Sequence, residues 1–196
     1  MLTARDEILR RLEASRPPRV ERPAPMAEPG MPIDPMATLR DRLQDAGGSL
    51  QIATRHDWAE TIQWPVEPSS LEHVHSSLPE FTGRGAGLSA ETDHELARLD
   101  LCLLAGEFAV IENAAVWHRP SLPRERAAAL LATHLIVVVE ATEIVATMHQ
   151  AYKRIDTQDP RFGWFLCGPS KTADIEQSLV LGAHGPRTMS LVLLRD

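Results

Sequence analysis

The alternation of strand-like and helix-like segments predicts an α/β protein, a three-layer domain with a largely parallel or mixed sheet. Three apolar runs carry this prediction: "LCLL", "LIVVVE" and the closing "TMSLVLLRD". The second run is apolar at every position from Leu135 to Val139, which is typical of a central strand covered on both faces. The 196 residues suffice for one domain with its own core.

The first part of the chain is predicted to lie outside that domain. Residues 1–16 form an N-terminal helix, with a capping box from Thr3 and Asp6 and a narrow apolar stripe behind it. Residues 17–33 are a proline-rich linker or arm, because proline removes backbone donors and favours extended chain. The domain itself is predicted to cover residues 34–196.

The first helix and strand of the domain follow directly from local signals. Asp34 is a predicted N-cap with Pro35 at the first helical position, and Gly47–Gly48 ends the helix. The buried face of this helix is predicted to consist of Met36, Leu39 and Leu43. "SLQIAT" follows as a strand, and residues 57–63 read as a short helix.

The second half of the chain is more strongly patterned. "VIENAAVW" reads as a strand after the tight "AGEF" connection, and residues 142–152 read as a helix. "FGWFLCG" is a predicted buried strand, and "TMSLVLLRD" is the last strand. The loop "GRGAG", residues 83–87, lacks the spacing of a dinucleotide-binding loop and is predicted to be surface loop.

Composition excludes several classes of protein. The net charge of −7 argues against a nucleic-acid binder, which needs a basic face. Cys102 and Cys167 are predicted to be reduced core thiols, and the absence of a C-x-x-C pair rules out an iron–sulfur cluster with four cysteine ligands from this chain. His73 and His75 have no third ligand at a recognisable spacing, so no metal site is predicted.

The N-terminus has no apolar signal-peptide core, and no apolar run is long enough to span a bilayer. A cytoplasmic location is therefore expected.

The stretch "CGPSKTADIEQSLVLGAHGPR" is the first candidate site. A strand that ends at Gly168 and leads through a polar loop into a helix is a geometry that collects anions. A second glycine-rich loop, Gly182–Gly185, follows closely and is expected to lie beside the first. The alternative is structural, because Ser170 and Thr172 can cap a helix and Asp174 and Glu176 can favour its positive end.

The segment "GEFAVIENAAVWH" is the second candidate site. Glu107 and Glu112 lie close to buried strands, where a carboxylate is costly unless it is paired or used in chemistry. Glu112 could act as a base or a nucleophile. The alternative is a salt bridge or a hydrogen bond to a loop backbone, and the sequence leaves both open.

These two segments together carry a family resemblance. "GPSKTADIEQSLVLGAHGPRTMSLVLL" closely resembles the C-terminal signature of the LUD-domain family, in its lactate-utilisation protein C (LutC/YkgG) branch, and "AGEFAVIENAAVW" is similar to the central segment of that family. The resemblance covers about residues 34–196 and is strongest from Leu99 onward. Ala114 departs from the pattern, because the family usually has glycine after the acidic–polar pair.

The resemblance implies a NagB/RpiA/CoA-transferase-like fold with a ligand cleft at strand ends. It also implies a role in oxidising L-lactate to pyruvate beside two partner subunits that carry the iron–sulfur clusters, so that this chain needs no cofactor of its own. The family motif falls on Glu112, Asn113, Gly168, Ser170, Thr172, Asp174, Glu176, Gly182, His184 and Gly185.

The leading hypothesis is an accessory or catalytic-support subunit of that system. Glu112, Asp174 and His184 are the candidate proton-handling groups. The groups predicted to hold a small anion, together with the loop N–H groups, are Asn113, Gly168, Ser170, Lys171, Thr172, Glu176, Gly182 and Gly185. The alternatives are a CoA-transferase-like or sugar-phosphate-binding enzyme that uses Glu112, and a non-catalytic interaction module that docks through residues 1–33; a homo-oligomer is left open.

Overall fold

A computed structural model of the chain describes residues 3–24, 27–78, 93–172 and 180–196. The helices are α1 (Ala4–Ala14), α2 (Pro35–Asp45), α3 (Trp58–Thr61), α4 (Asp93–Leu96), α5 (Pro123–Leu131) and α6 (Met148–Arg154). The strands are β1 (Ser49–Thr54), β2 (Val74–Ser76), β3 (Leu101–Ala105), β4 (Phe108–Val110), β5 (Val116–His118), β6 (His134–Glu140), β7 (Ile144–Val145), β8 (Trp164–Leu166), β9 (Lys171–Thr172), β10 (Val180–Leu181) and β11 (Thr188–Arg195).

Five strands form one parallel sheet in the order β1-β11-β6-β3-β2. The predicted central strand is confirmed, since β6 lies in the middle and alternates its side chains between two cores. Leu135, Val137 and Val139 face one hydrophobic cluster, whereas Ile136 and Val138 face the other. A strand buried on both faces needs a continuous apolar run, which explains the sequence of β6.

Layers of different kinds cover the two faces of this sheet. On one face lie α2, α5 and a second, mixed sheet of order β7-β4-β5-β8; on the other face lie α3 and the segment that follows β2. Leu39 and Leu43 of α2 are fully buried, as their spacing predicted. The predicted three-layer α/β architecture is confirmed.

The prediction of one strand through "VIENAAVW" is wrong. Residues 111–113 form a turn that separates the antiparallel strands β4 and β5. The Oδ1 atom of Asn113 accepts a hydrogen bond from the N–H of Ala115 over 3.1 Å, a local turn that asparagine favours. Ala114 has a φ of 55°, in the left-handed region. Glycine adopts this conformation without strain, so the backbone here would suit the glycine that the resemblance implies.

The predicted helix over residues 142–152 begins six residues later than expected. Ile144 and Val145 pair with β4 as strand β7, which suits their branched side chains. The hydroxyl of Thr147 accepts a hydrogen bond from the N–H of Gln150 over 3.2 Å and caps α6. A capping residue inside an apolar stretch therefore marked the true start of the helix.

The N-caps of the two helices near the N-terminus lie where they were predicted, at Thr3 and Asp34. Thr3 and Asp6 form the capping box of α1, and Asp34 caps α2 through the N–H of Ala37 over 2.9 Å. The apolar stripe of α1, which consists of Ile8, Leu9 and Leu12, is exposed. In the described part of the chain no helix is long and apolar enough to cross a membrane.

The two cysteines differ from each other. Cys102 is fully buried in β3, as predicted, and burial raises the pKa of its thiol. Cys167 was predicted to be a core thiol but is exposed, because β8 ends at Leu166 and lies at the edge of the smaller sheet. The predicted buried strand "FGWFLCG" is likewise only half-buried.

Candidate functional site

The two C-terminal loops lie against each other, as the sequence predicted. The N–H of Gly182 donates to the carbonyl of Ser170 over 2.8 Å, and the N–H of Ser170 donates to the carbonyl of Pro186 over the same distance. The hydroxyl of Ser170 also accepts a long hydrogen bond from the N–H of His184, at 3.4 Å. Ser170 is therefore the residue that joins the two loops.

Close packing explains two of the predicted glycines. A Cβ on Gly168 would collide with the carbonyl oxygen of Ala46 at the end of α2, and Gly168 has a φ of 67°. A Cβ on Gly185 would lie 3.0 Å from the Cβ of Ser170. Gly168 thus allows the first loop to approach α2, and Gly185 allows the second loop to approach Ser170, so the first role of both is in the backbone.

Lys171 and Thr172 do not begin a helix. They form strand β9, which pairs antiparallel with β10, so Ser170 is not the N-cap that the sequence suggested. The Nζ atom of Lys171 lies 3.3 Å from the carbonyl oxygen of Asp45, where a cation suits the negative end of α2. Asp174 and Glu176, with the rest of the predicted helix, lie outside the described residues, as does the loop at residues 83–87.

A polar cleft of about 540 Å³ opens beside the second loop. Its lining includes Thr133 after α5, the loop residues Gly182–Gly185, and Arg187. Within the described residues the guanidinium of Arg187 has no ion pair, and the N–H groups of Ala183 and Gly185 have no acceptor. We call this the His184 cleft. Its free cation and free N–H groups suit a small anion.

Sequence reasoning missed Arg187. It closes the motif "GAHGPR" two residues after Gly185, and its N–H donates to the carbonyl of Thr133 over 2.8 Å. The pKa of neighbouring His134 is lowered, mainly by burial, with the positive charge of Arg187 acting in the same direction and Asp100 opposing it. An arginine that follows a glycine-rich loop was the available signal.

Glu112 lies at a different cleft, whose lining does not include Asn113. Glu112 lines an opening of about 630 Å³ together with the arm, α2 and the start of α6. Its Oε2 atom accepts a hydrogen bond from the N–H of Met148 over 2.7 Å. Glu107, the other carboxylate of this segment, lies 3.1 Å from the Nε atom of Arg119. Both carboxylates thus have the structural partners that the sequence left open as the alternative.

The two clefts have no lining residue in common, but a chain of contacts connects them. The thiol of Cys167 donates to the carbonyl of Asn113 over 3.0 Å, next to Glu112. From Cys167 the polypeptide continues through Gly168 to Ser170, which contacts the loop of the His184 cleft. The structure therefore brings Ser170, Gly182, His184 and Gly185 together. It places the Glu112 side chain in the other cleft.

A buried polar pair lies beneath the start of α5, away from both clefts. His75 and Glu125 are 6% and 5% exposed, and the Nε2 atom of His75 lies 3.9 Å from Oε1 of Glu125. Burial lowers the pKa of His75, and Glu125 partly opposes this. Among the described residues no three His, Cys, Asp or Glu side chains form a group that could hold a metal ion.

The profile of the LUD domain matches residues 41–194, which is most of the chain. The chain belongs to the LUD-domain family. The resemblance predicted from the C-terminal motif and the central segment is thereby confirmed. The match covers all lining residues of the His184 cleft. Of the cleft at Glu112, it leaves out the arm and the first part of α2.

Curated relatives of this LUD domain are lactate utilization protein C of several bacteria. The protein from Exiguobacterium sp. is 33% identical over 54% of this chain and 49% of its own length. The Shouchella clausii protein is 30% identical over 50% of this chain and 44% of its own length. The Bacillus pumilus protein is 26% identical over 84% of this chain and 70% of its own length. The chain thus spans about half the length of the first relatives it matches.

A solved structure of a DUF162 family protein from Deinococcus radiodurans has a related fold. It superposes on the LUD domain with a TM-score of 0.63 and 17% identity, covering 84% of this chain and 100% of the other. At that identity the likeness concerns the fold alone.

Proposed function

We propose that this LUD domain is an accessory or catalytic-support subunit of a system that oxidises L-lactate to pyruvate. The names of its relatives support this role, since they are lactate utilization proteins. The iron–sulfur clusters of the system belong to two partner subunits. The oxidation removes two electrons and two protons from the alcohol carbon and hydroxyl of lactate, and the clusters of the partner subunits would supply the acceptor for the electrons.

The observation that carries the proposal is the His184 cleft. L-lactate and pyruvate are both small carboxylates, and a guanidinium recognises a carboxylate through two parallel hydrogen bonds. Arg187 is the cation of this cleft, and the N–H groups of Ala183 and Gly185 supply further donors. The chain therefore binds and orients the carboxylate while the partners take the electrons.

His184 is the proton-handling group of the proposal, because its side chain lines the same cleft as Arg187. An imidazole can take the proton of the lactate hydroxyl as the two electrons leave for the partner subunits, and the proton of the alcohol carbon passes to water. Ser170 acts through the backbone: its hydroxyl accepts from the N–H of His184 and positions the loop. It is a positioning residue.

The test compares Arg187→Gln with Arg195→Gln, a matched control at the opposite end of β11. Thermal unfolding of the purified chain is measured with L-lactate, pyruvate, chloride and acetate. A ligand at a hundredfold excess over its Kd stabilises the wild type by about 2.7 kcal/mol. We expect L-lactate or pyruvate to stabilise the wild type and Arg195→Gln, but not Arg187→Gln.

The physiological part of the proposal needs a separate measurement. A deletion strain complemented with the wild-type gene or with Arg195→Gln should grow on L-lactate, and the strain with Arg187→Gln should grow more slowly. Unchanged growth of the deletion strain would overturn the lactate role. Equal stabilisation of both variants by the carboxylates would overturn the binding site.

A further inference from the structure

A second opening in the molecule has a different character from the His184 cleft. It lies between the arm, α2, the turn at Glu112 and the start of α6, and its volume is about 630 Å³. We call it the arm cleft. Pockets that bury organic ligands have volumes of about 300–1,000 Å³, so the arm cleft has the size for such a ligand. A three-carbon acid would fill only a small part of it.

The walls of the arm cleft are largely apolar. Side chains that supply only carbon surface come from three separate segments of the chain: Ala27, Pro29, Pro32, Ile111 and Ala146. Ile111 and Ala146 are buried in the fold, so this part of the wall is fixed. The apolar surface that is still open to water belongs to the arm residues Ala27, Pro29 and Pro32. A ligand with an apolar body would remove that surface from water, which is the main source of affinity in such sites.

Arg42 is a cation of the arm cleft that forms no ion pair with any of the described residues. No carboxylate lies within ion-pair distance of it there. The two acidic side chains of the lining are occupied: Glu28 forms an ion pair with Lys153, and Glu112 accepts a hydrogen bond from the N–H of Met148. A free guanidinium beside apolar walls favours an acidic group at one end of the ligand.

The Glu28–Lys153 ion pair also explains why the cleft has an outer wall. Lys153 lies on α6, so the pair attaches the arm to the helix on the far side of the opening. The partner Lys153 holds the pKa of Glu28 below its usual range, which keeps this contact charged. Without the contact, the proline-rich arm would have few interactions to hold it over the cleft.

From the volume, the apolar walls and the free guanidinium of Arg42 we infer that the arm cleft binds an amphipathic organic anion. Its apolar body lies along Pro29 and Pro32 of the arm, and its acidic group meets Arg42. This site is separate from the proposed lactate site, since the two clefts have no residue in common.

Two fluorescent probes of nearly the same shape test this inference. Anilinonaphthalene sulfonate carries an anionic group on an apolar body, and N-phenyl-1-naphthylamine is its uncharged counterpart. Both are titrated into the full chain and into three variants. Arg42→Gln removes the cation, Thr38→Trp fills the cleft from α2, and Arg40→Gln is the control, an exposed arginine of α2 outside the lining.

We expect saturable binding of the sulfonate to the wild type. Arg42→Gln should raise its Kd about fivefold, as for a lost charge-assisted hydrogen bond at a partly exposed site, and should change the Kd of the neutral probe by less than about twofold. Arg40→Gln should change neither Kd. Thr38→Trp should weaken both probes about tenfold or more.

The inference is overturned if no probe binds saturably, if Arg42→Gln acts no differently from Arg40→Gln, or if a folded Thr38→Trp variant binds both probes as the wild type does. Should Thr38→Trp not fold, the comparison of the two arginine variants with the two probes decides the question. Failure here leaves the lactate site unaffected, because Arg187 lies in the other cleft.

Discussion

The carboxylate of Glu112 accepts a hydrogen bond from the main-chain N–H of Met148 over 2.7 Å. This contact connects the turn between β4 and β5 to the first residue of α6. The side chain that the sequence singled out as a base or nucleophile therefore supports the fold, whatever chemistry it also performs. A variant that removes only the charge of Glu112 and a variant that removes its whole carboxylate should therefore differ in their effects on stability.

Glu112→Ala should lower the free energy of unfolding by about 1 kcal/mol, the usual cost of a lost helix cap. Glu112→Gln should lose less, because an amide oxygen still accepts the N–H of Met148. Urea unfolding measures both. If Glu112 is a nucleophile, Glu112→Gln should instead abolish activity while leaving stability almost unchanged, so measurement of both properties separates the two roles.

Ala114 has a left-handed backbone, with a φ of 55°, and a fully buried methyl group. Its methyl packs into the main core, so it does not narrow either cleft. Ala114→Gly should change stability by less than about 1 kcal/mol, because relief of backbone strain offsets the lost burial. Ala114→Val should destabilise by about 3 kcal/mol or more, since a branched residue fits neither the backbone nor the space. Equal urea midpoints for the two variants would contradict this explanation.

His75 should make the protein less stable in mild acid. Burial lowers the pKa of His75 in the folded state, so below the ordinary value of 6.5 the unfolded chain binds more protons than the folded one. The free energy of unfolding should then fall as the pH decreases from about 7 to about 5, by at most about 1.4 kcal/mol per pH unit for one group. His134 contributes with the same sign, because its pKa is also lowered.

The check is the slope of unfolding free energy against pH. His75→Gln should reduce this slope, even if the variant is less stable overall, because it removes the titrating group. A slope equal to that of the wild type would show that His75 does not titrate with unfolding. His134→Gln should reduce the slope independently, since the two residues lie on different strands.

The two thiols should react very differently with iodoacetamide. In the native protein Cys167 should be alkylated and Cys102 should not, whereas both should react in denaturant. Although the residue is exposed, partial burial of its sulfur atom raises the pKa of Cys167, with Lys171 partly opposing this. Native Cys167 should therefore react more slowly than a free thiol, because less thiolate is present.

Lys171→Gln provides the matched variant for this prediction. Without the ammonium group the pKa of Cys167 should rise further, and alkylation should become slower still. Mass spectrometry of the peptides that contain each cysteine gives both rates. Faster or unchanged alkylation in Lys171→Gln would show that Lys171 does not act on the thiol.

The fold could be predicted where one local signal dominates. The apolar run of β6, the capping box of α1 and the Asp34–Pro35 start of α2 each specify their structure through neighbours in sequence. The predictions were wrong where a short segment has no dominant local signal and its structure depends on which strand pairs with it. Residues 111–113 form a turn only because β4 and β5 pair with each other, and Ile144–Val145 forms a strand only because β4 lies beside it.

The candidate site divides in the same way. Adjacency of the two C-terminal loops followed from their short separation in sequence, and Ser170 and Gly182 do form a hydrogen bond. The placement of Glu112 could not follow, because its partner Met148 lies 36 positions away. Arg187 and Arg42 gained their significance only from the clefts around them.

The sequence by itself determined the family, the buried strands of a largely parallel or mixed sheet and the glycine-rich loops, because each of these rests on residues that are close together in the chain. Only the tertiary structure decided that Glu112 lines a largely apolar cleft, whereas Gly182, His184 and Gly185 line a separate polar one. A cleft forms from segments that are distant in sequence, and which surfaces meet is decided by the packing of the whole core.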